Sequence, residues 1–369
     1  MQYKLLIVLT LVAILVPRWA EGKELSLSYK DPVKDSLSNT HVTYSATHLF
    51  ALGSEVLFKE LGSQNSSAVR LGEYLFFAYG TAFLSSFSHE WSHYRLANFY
   101  NLSPKIKINI FGGEVRHFFT PDINNSIRIT TAGLNQQELN AGFVFEKIVL
   151  SGSVSYINGT SLMMNRFGTL AYSLVTVGGY DSTGSDIINY ELLTQAKGFR
   201  VDRYEMLAFS LLSVLSSAVI WQNLSLGHDF VTDNKRQTPL LLLWDTVVPP
   251  LFQYYLTEYG DMITMILPVV RPTPIFLWAG LGLRQPFYRV GLRAYVIHNE
   301  KLSLIPSFYY NRVKNSNLTG YQLGFEAQFH LIPRKWSLFF ITKYSENDII
   351  DQLKIESGYY ATVGGSLYF

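Results

Sequence analysis

Residues 71–93 read LGEYLFFAYGTAFLSSFSHEWSH, an apolar stretch holding one charge, Glu73, before it runs into His89-Glu90-Trp91-Ser92-His93. The surrounding pattern, from about Thr43 to Tyr100, is helical. On a helix, His-Glu-x-x-His sets two imidazoles one turn apart on one face, the spacing that binds zinc through ring nitrogens. Glu90, on the same stretch, would take a proton from a metal-bound water and later return it to a leaving group. The expected chemistry is that of a zinc metallohydrolase, most simply a peptidase, with His89 and His93 as ligands and Glu90 as general base.

Composition narrows the setting of that helix. The chain has 369 residues, 48% of them hydrophobic and only 16% charged, with a mean hydropathy of +0.12. This is more apolar than an ordinary soluble enzyme and leans toward a membrane protein. A net charge of +2 and the lack of basic clusters interleaved with aromatics set nucleic acid aside as a partner. Cysteine is absent, which excludes disulfides, thiolate zinc sites and thiol catalysis and leaves His and carboxylates as metal ligands. Residues 1–22 read as an export signal: Lys4 is the positive end, Leu5 to Val16 the apolar stretch, and Ala20-Glu21-Gly22 the cleavage site.

Residues 23–270 are expected to form a mainly helical zinc-site domain. Within it, Lys105 to Ile110 alternates like a strand and stops at Gly112-Gly113, and Ser126 to Thr131 reads as a second short strand. Met206 to Gly227 holds 22 residues without a charge, long enough to cross a bilayer, although five Ser make it polar for a lipid-facing helix. Pro239 to Leu267, interrupted by Asp245, Pro249-Pro250, Glu258 and Asp261, reads as packed helices.

From 271 to 369 the period changes to two. Tyr321, Leu323, Phe325, Ala327, Phe329 and Leu331 point one way and Gln322, Gly324, Glu326, Gln328 and His330 the other, as on a strand with one lipid-facing side. Tyr288, Val290, Leu292, Ala294 and Val296 alternate likewise. Turn-like clusters divide the region into about six strands, the last carrying Tyr359, Ala361, Val363, Gly365, Leu367 and Phe369 on one face, which resembles the closing strand of bacterial outer-membrane barrels. About eight strands make the smallest barrel, so segments near Lys105 and Ser126, or Glu24 to Tyr29, would have to join. The expected fold is therefore an α+β membrane protein, a helical part followed by an antiparallel, barrel-like region.

A catalytic zinc needs a third protein ligand and one open position. Asp186, in the Gly/Ser-rich stretch Gly178 to Asp186, is the first candidate; His228 or Asp229 follows, then His117. In order of motifs the chain resembles the site-2 protease family of membrane-embedded zinc peptidases: HEWSH at 89–93, Ile110-Phe111-Gly112-Gly113, Ala132-Gly133-Leu134-Asn135, then Asp186. It departs in having Ser92 before the second His, Leu134 in place of Pro, and no Asp-Gly pair at 186. The resemblance covers roughly residues 75–190 and implies Asp186 as third ligand, an oxyanion-stabilising amide at Asn135, and a peptide or membrane-protein substrate. The lipid bilayer, that of the bacterial outer membrane or alternatively the inner one, is the expected surrounding. The competing expectation is a non-enzymatic outer-membrane channel or structural protein in which HEWSH is incidental.

Overall fold

The computed structural model describes residues 24–29, 36–109, 112–118, 120–179, 185–313, 318–332, 336–346 and 358–368. The export signal, Ile110-Phe111, the Gly/Ser-rich residues 180–184, the turn clusters at 314–317 and 333–335, and Phe369 lie outside them. The fold is α+β: seven helices and a curled antiparallel sheet among the described residues.

The helical part begins with α1 (Ser36–Glu60) and α2 (Ser67–Phe99), the latter started by Ser66, whose hydroxyl accepts from the Val69 amide. A hairpin, β2 (Lys105–Asn109) with β3 (Gly112–Arg116), leads to α3 (Ile123–Ser151). Asp122 caps α3 by accepting from the Asn124 and Asn125 amides, and this cap explains why Ser126 to Thr131 is helical rather than the strand its β-branched residues suggest. After β4 (Ser153–Ser155) come α4 (Tyr156–Val177), α5 (Asp186–Ala196), α6 (Arg203–Leu215) and α7 (Ala218–Asp233). The uncharged run from Met206 to Gly227 is thus split between α6 and α7, bent by 62° at Ser216-Ser217, and among the described residues no single helix is long and apolar enough to cross a membrane.

β5 (Gln237–Pro239) pairs with β4. The continuous run of main-sheet strands begins at Leu251, twenty residues before the change of period, with β6 (Leu251–Thr257) and β7 (Gly260–Val269). The expectation of packed helices over Pro239 to Leu267 is therefore corrected: β6 is buried on both faces, which erases the alternation that marks a half-buried strand. The sheet continues through β8 (Ile275–Gly282), β9 (Phe287–Ala294), the short β10 (Ile297–His298), β11 (Leu302–Val313), β12 (Leu318–Ile332), β13 (Trp336–Glu346) and β14 (Gly358–Tyr368). Glu24 to Tyr29 joins as β1, antiparallel to β14, whereas the Lys105 hairpin stays apart. The strand order β1-β14-β13-β12-β11-β9-β8-β7-β6 leaves β1 and β6 as the edges among the described residues.

On two strands of the sheet an apolar side faces outward. On β12, Leu323, Phe325, Phe329 and Leu331 are exposed while Gln322 is buried. On β9, Tyr288, Val290 and Leu292 are exposed, and Arg293 on the other side pairs with Glu146 of α3 and Glu326 of β12. Part of α2 shows the same pattern. Leu71, Leu75, Phe76 and Tyr79 of α2 face outward, while Ser85, Ser88 and Ser92 are buried.

Those buried hydroxyls knit α1, α2 and α3 together. Asn140 Nδ2 donates to Ser88 Oγ at 3.0 Å, Ser92 Oγ to Gln136 Oε1 at 3.0 Å, and Asn39 Nδ2 to Ser92 Oγ at 3.1 Å. Gln136 Nε2 donates on to Asn140 Oδ1 and Ser88 Oγ to Asn39 Oδ1, closing the network. A buried network of this kind fixes helix register because a slipped arrangement would strand several polar groups without partners.

Candidate metal centre

His89 and His93, four residues apart on α2, project from one face as the helical period requires. Their Nε2 atoms lie 3.1 Å from each other. The third member arrives from α5, whose first residue is Asp186: its Oδ2 is 3.0 Å from His89 Nε2 and 3.1 Å from His93 Nε2. All three side chains are buried, and this is the group among the described residues that can hold a metal ion. Tetrahedral zinc with bonds of about 2.0–2.1 Å would hold its ligand atoms about 3.3 Å apart, close to the spacing present.

The opposite ring nitrogens are tied down, an arrangement that would leave both Nε2 atoms to a bound ion. His93 Nδ1 donates to the Ile129 carbonyl at 2.6 Å, and His89 Nδ1 donates to Gln137 Oε1 at 3.4 Å. Gln137 is itself oriented by donating to Ser85 Oγ at 3.0 Å, and Ser85 donates to Asn165 Oδ1. The electrostatics favour positive charge at the centre. Burial disfavours the His93 imidazolium, yet the Asp186 carboxylate, its hydrogen bond and the nearby Glu90 outweigh that and lift His93 to about 9. Burial likewise works against the Asp186 charge, but His93 and His89 hold its carboxyl well below the usual carboxylate range.

Two glycines make the close approach possible. Gly133 of α3 lies against the His89 ring, which a Cβ there would overlap, and Gly113 of β3 lies against the Glu90 side chain in the same way. The Gly113 contact seats the buried Glu90 beside the ligands under the hairpin. Gly133→Ala should therefore displace His89 and weaken metal binding by about 10- to 100-fold, the usual cost of disturbing a ligand's support. Competition against a chromophoric chelator measures it, and unchanged affinity would show that the helices can part without cost.

The alternative third ligands stand elsewhere. His228 is exposed on α7 and pairs with Asp229, 3.6 Å away, which also accepts from Lys235. His117 is exposed beyond β3. Asn135 does not supply an amide to the centre: its Nδ2 donates to the Leu256 carbonyl at 2.6 Å and its Oδ1 accepts from the Leu256 amide at 3.0 Å, fastening α3 to β6. Trp91 and Tyr94 stack on one another at 5.2 Å, with Phe87 in line, along the flank of α2. Gln137 and Tyr172, which stacks on His89 at 5.0 Å, were not singled out from the sequence. The signal for Gln137 was its place one turn after Gly133, on the face that the close approach turns toward α2.

Comparison of the chain with protein-family models, with curated proteins and with solved structures returns no match.

Proposed function

We propose that the chain is a zinc-dependent hydrolase of a bacterial membrane, most simply the outer membrane, and that it cleaves peptide bonds. The observation that carries this reading is the convergence of His89, His93 and Asp186 with Glu90 seated next to them. A two-imidazole, one-carboxylate donor set suits zinc and leaves a position for substrate. When bound, the ion supplies Lewis acidity, polarising an acyl oxygen and making a water acidic enough to lose a proton near neutral pH. The remaining work falls to the protein. Glu90 takes the proton from the attacking water on a carboxylate oxygen and delivers it to the departing nitrogen. The pinned Nδ1 atoms keep both imidazoles in one tautomer and orientation, so no reorganisation is needed during reaction.

Membership of the site-2 protease family is part of the proposal, supported by the shared order of HEWSH, Gly112-Gly113, Ala132-Gly133 and Asp186. The membrane setting is supported by the apolar outer face of β9 and β12 and by helices joined through hydroxyls and amides, the contacts that serve where water is absent. The same outer face favours the second reading, a non-enzymatic outer-membrane channel or structural protein.

Elemental analysis of the detergent-solubilised protein after dialysis separates the two. About one zinc per chain is expected, falling to background in His89→Ala and Asp186→Ala. No zinc in the wild-type protein, even after resupply, would leave the structural reading standing.

A further inference from the structure

One wall of the centre is a single face of α4. Gly168 on that face lies against the Gln137 amide, where a Cβ would overlap it. Tyr172, one turn on, lays its ring on His89, with centroids 5.0 Å apart and planes 13° from parallel. Thr176, a further turn on, shares a hydrogen bond of 3.1 Å with Ser185, the residue before Asp186. Tyr172 thus stands midway along a face that runs from the support of the first ligand to the approach of the third.

The ring of Tyr172 lies on that of His89, which brings its hydroxyl to the neighbourhood of the centre. It is close enough to Asp186 and Glu90 for both carboxylates, after burial itself, to oppose its ionisation. The side chain is half-buried, and no acceptor among the described residues takes its hydroxyl. The amides in the neighbourhood are committed. Asn135 bonds β6 through both of its polar atoms, and Gln137 uses Oε1 for His89 and Nε2 for Ser85.

We propose that Tyr172 is a catalytic residue of this site, its phenol donating a hydrogen bond to the acyl oxygen of the substrate as negative charge builds there, a role that rests on the hydrolase reading above. An ordinary phenol stays protonated up to pH about 10, so the donor is ready at neutral pH. No bond to Tyr172 forms or breaks and its proton stays on it; the contribution is that of a donor already aimed where charge develops. Packed flat on His89, the ring pays little ordering entropy when substrate enters, since its neighbours already fix it.

The test uses the full chain in detergent, loaded with cobalt in place of zinc, and acetohydroxamate as probe, because the anionic hydroxamate presents oxygens where a charged acyl oxygen would lie. Cobalt stoichiometry and the ligand-field spectrum are recorded first, then hydroxamate affinity from the spectral change. Tyr172→Phe, which keeps the ring stack, should bind cobalt with an unchanged spectrum but hydroxamate roughly 10- to 100-fold more weakly, the loss expected for a hydrogen bond to a charged acceptor. Equal hydroxamate affinity in the two proteins overturns the role of Tyr172 and leaves the metal centre intact. Loss of cobalt from Tyr172→Phe would make the residue a structural support, which also overturns it. A wild-type protein that binds cobalt but no hydroxamate lacks the open position that the donor role requires, and this too overturns the proposal. One that binds no cobalt removes the hydrolase reading itself.

Discussion

Glu90→Gln should keep its metal and its fold and lose hydrolysis by about two to four orders of magnitude, the range spanned by a positioned general base. The substitution preserves shape, so Gly113 can still rest against the side chain. It removes the only property the mechanism asks of the residue, an oxygen able to accept a proton. Glu90 also adds to the field that favours a cation at His93, so a modest drop in metal affinity is expected alongside. The measurement is peptide cleavage at matched zinc occupancy. Near-wild-type turnover in Glu90→Gln would mean that the base is elsewhere and would remove the main support for a peptidase. Loss of zinc and activity together would leave the chemical role open, so occupancy must be established in the same samples.

The second large effect concerns the fold. Arg166 of α4 is fully buried and donates through Nη1 to the buried Glu138 of α3 and through Nη2 to the Phe252 carbonyl of β6. Gln253 of β6 donates to the Glu138 carbonyl. One guanidinium therefore ties two helices that wall the candidate metal centre to β6, an edge strand of the main sheet among the described residues. Burial raises Glu138 to about 7 even though Arg166 opposes the shift, which indicates how costly the charge would be alone. Arg166→Met should lower stability by about 3–5 kcal/mol because it leaves a buried carboxyl without its partner. Adding Glu138→Leu should recover much of that loss, since an apolar pair of similar volume carries no desolvation penalty. Denaturant unfolding in detergent gives both values. Equal losses in the single and double variants would show that packing, not charge pairing, holds this joint.

Much of this was legible in the chain and some was not, for identifiable reasons. HEWSH announced its own helix because the pattern only makes sense at a period of 3.6, and Asp186 was among the acids in reach by sequence order. The strands after Phe287 could be read because one face is apolar and the other polar. β6 could not, because burial on both faces leaves no alternation to see. The break between α6 and α7 was hidden since Ser216-Ser217 is neutral toward helix, and only the 62° bend reveals it. Asn135 was singled out by its place in a motif, yet it faces β6, while Gln137, two residues on, faces the metal centre. A shift of two positions turns a side chain about 200° around a helix, and which face meets which neighbour is decided by packing.

The distance along the chain between His93 and Asp186, 93 residues, fixes when the centre can exist. Before α5 docks, the unfinished polypeptide offers two imidazoles and nothing to complete them, and closing a segment of that length costs entropy that only finished tertiary structure can repay. An unfinished chain of this kind would have little grip on any metal it meets. Affinity for divalent ions follows a fixed chemical order, so a site with few means of discrimination takes what surrounds it at the moment of closure. If the centre holds an ion, the place where the protein finishes folding would thus select it, and co-expression or refolding in a different metal pool would change the metal bound without changing a residue.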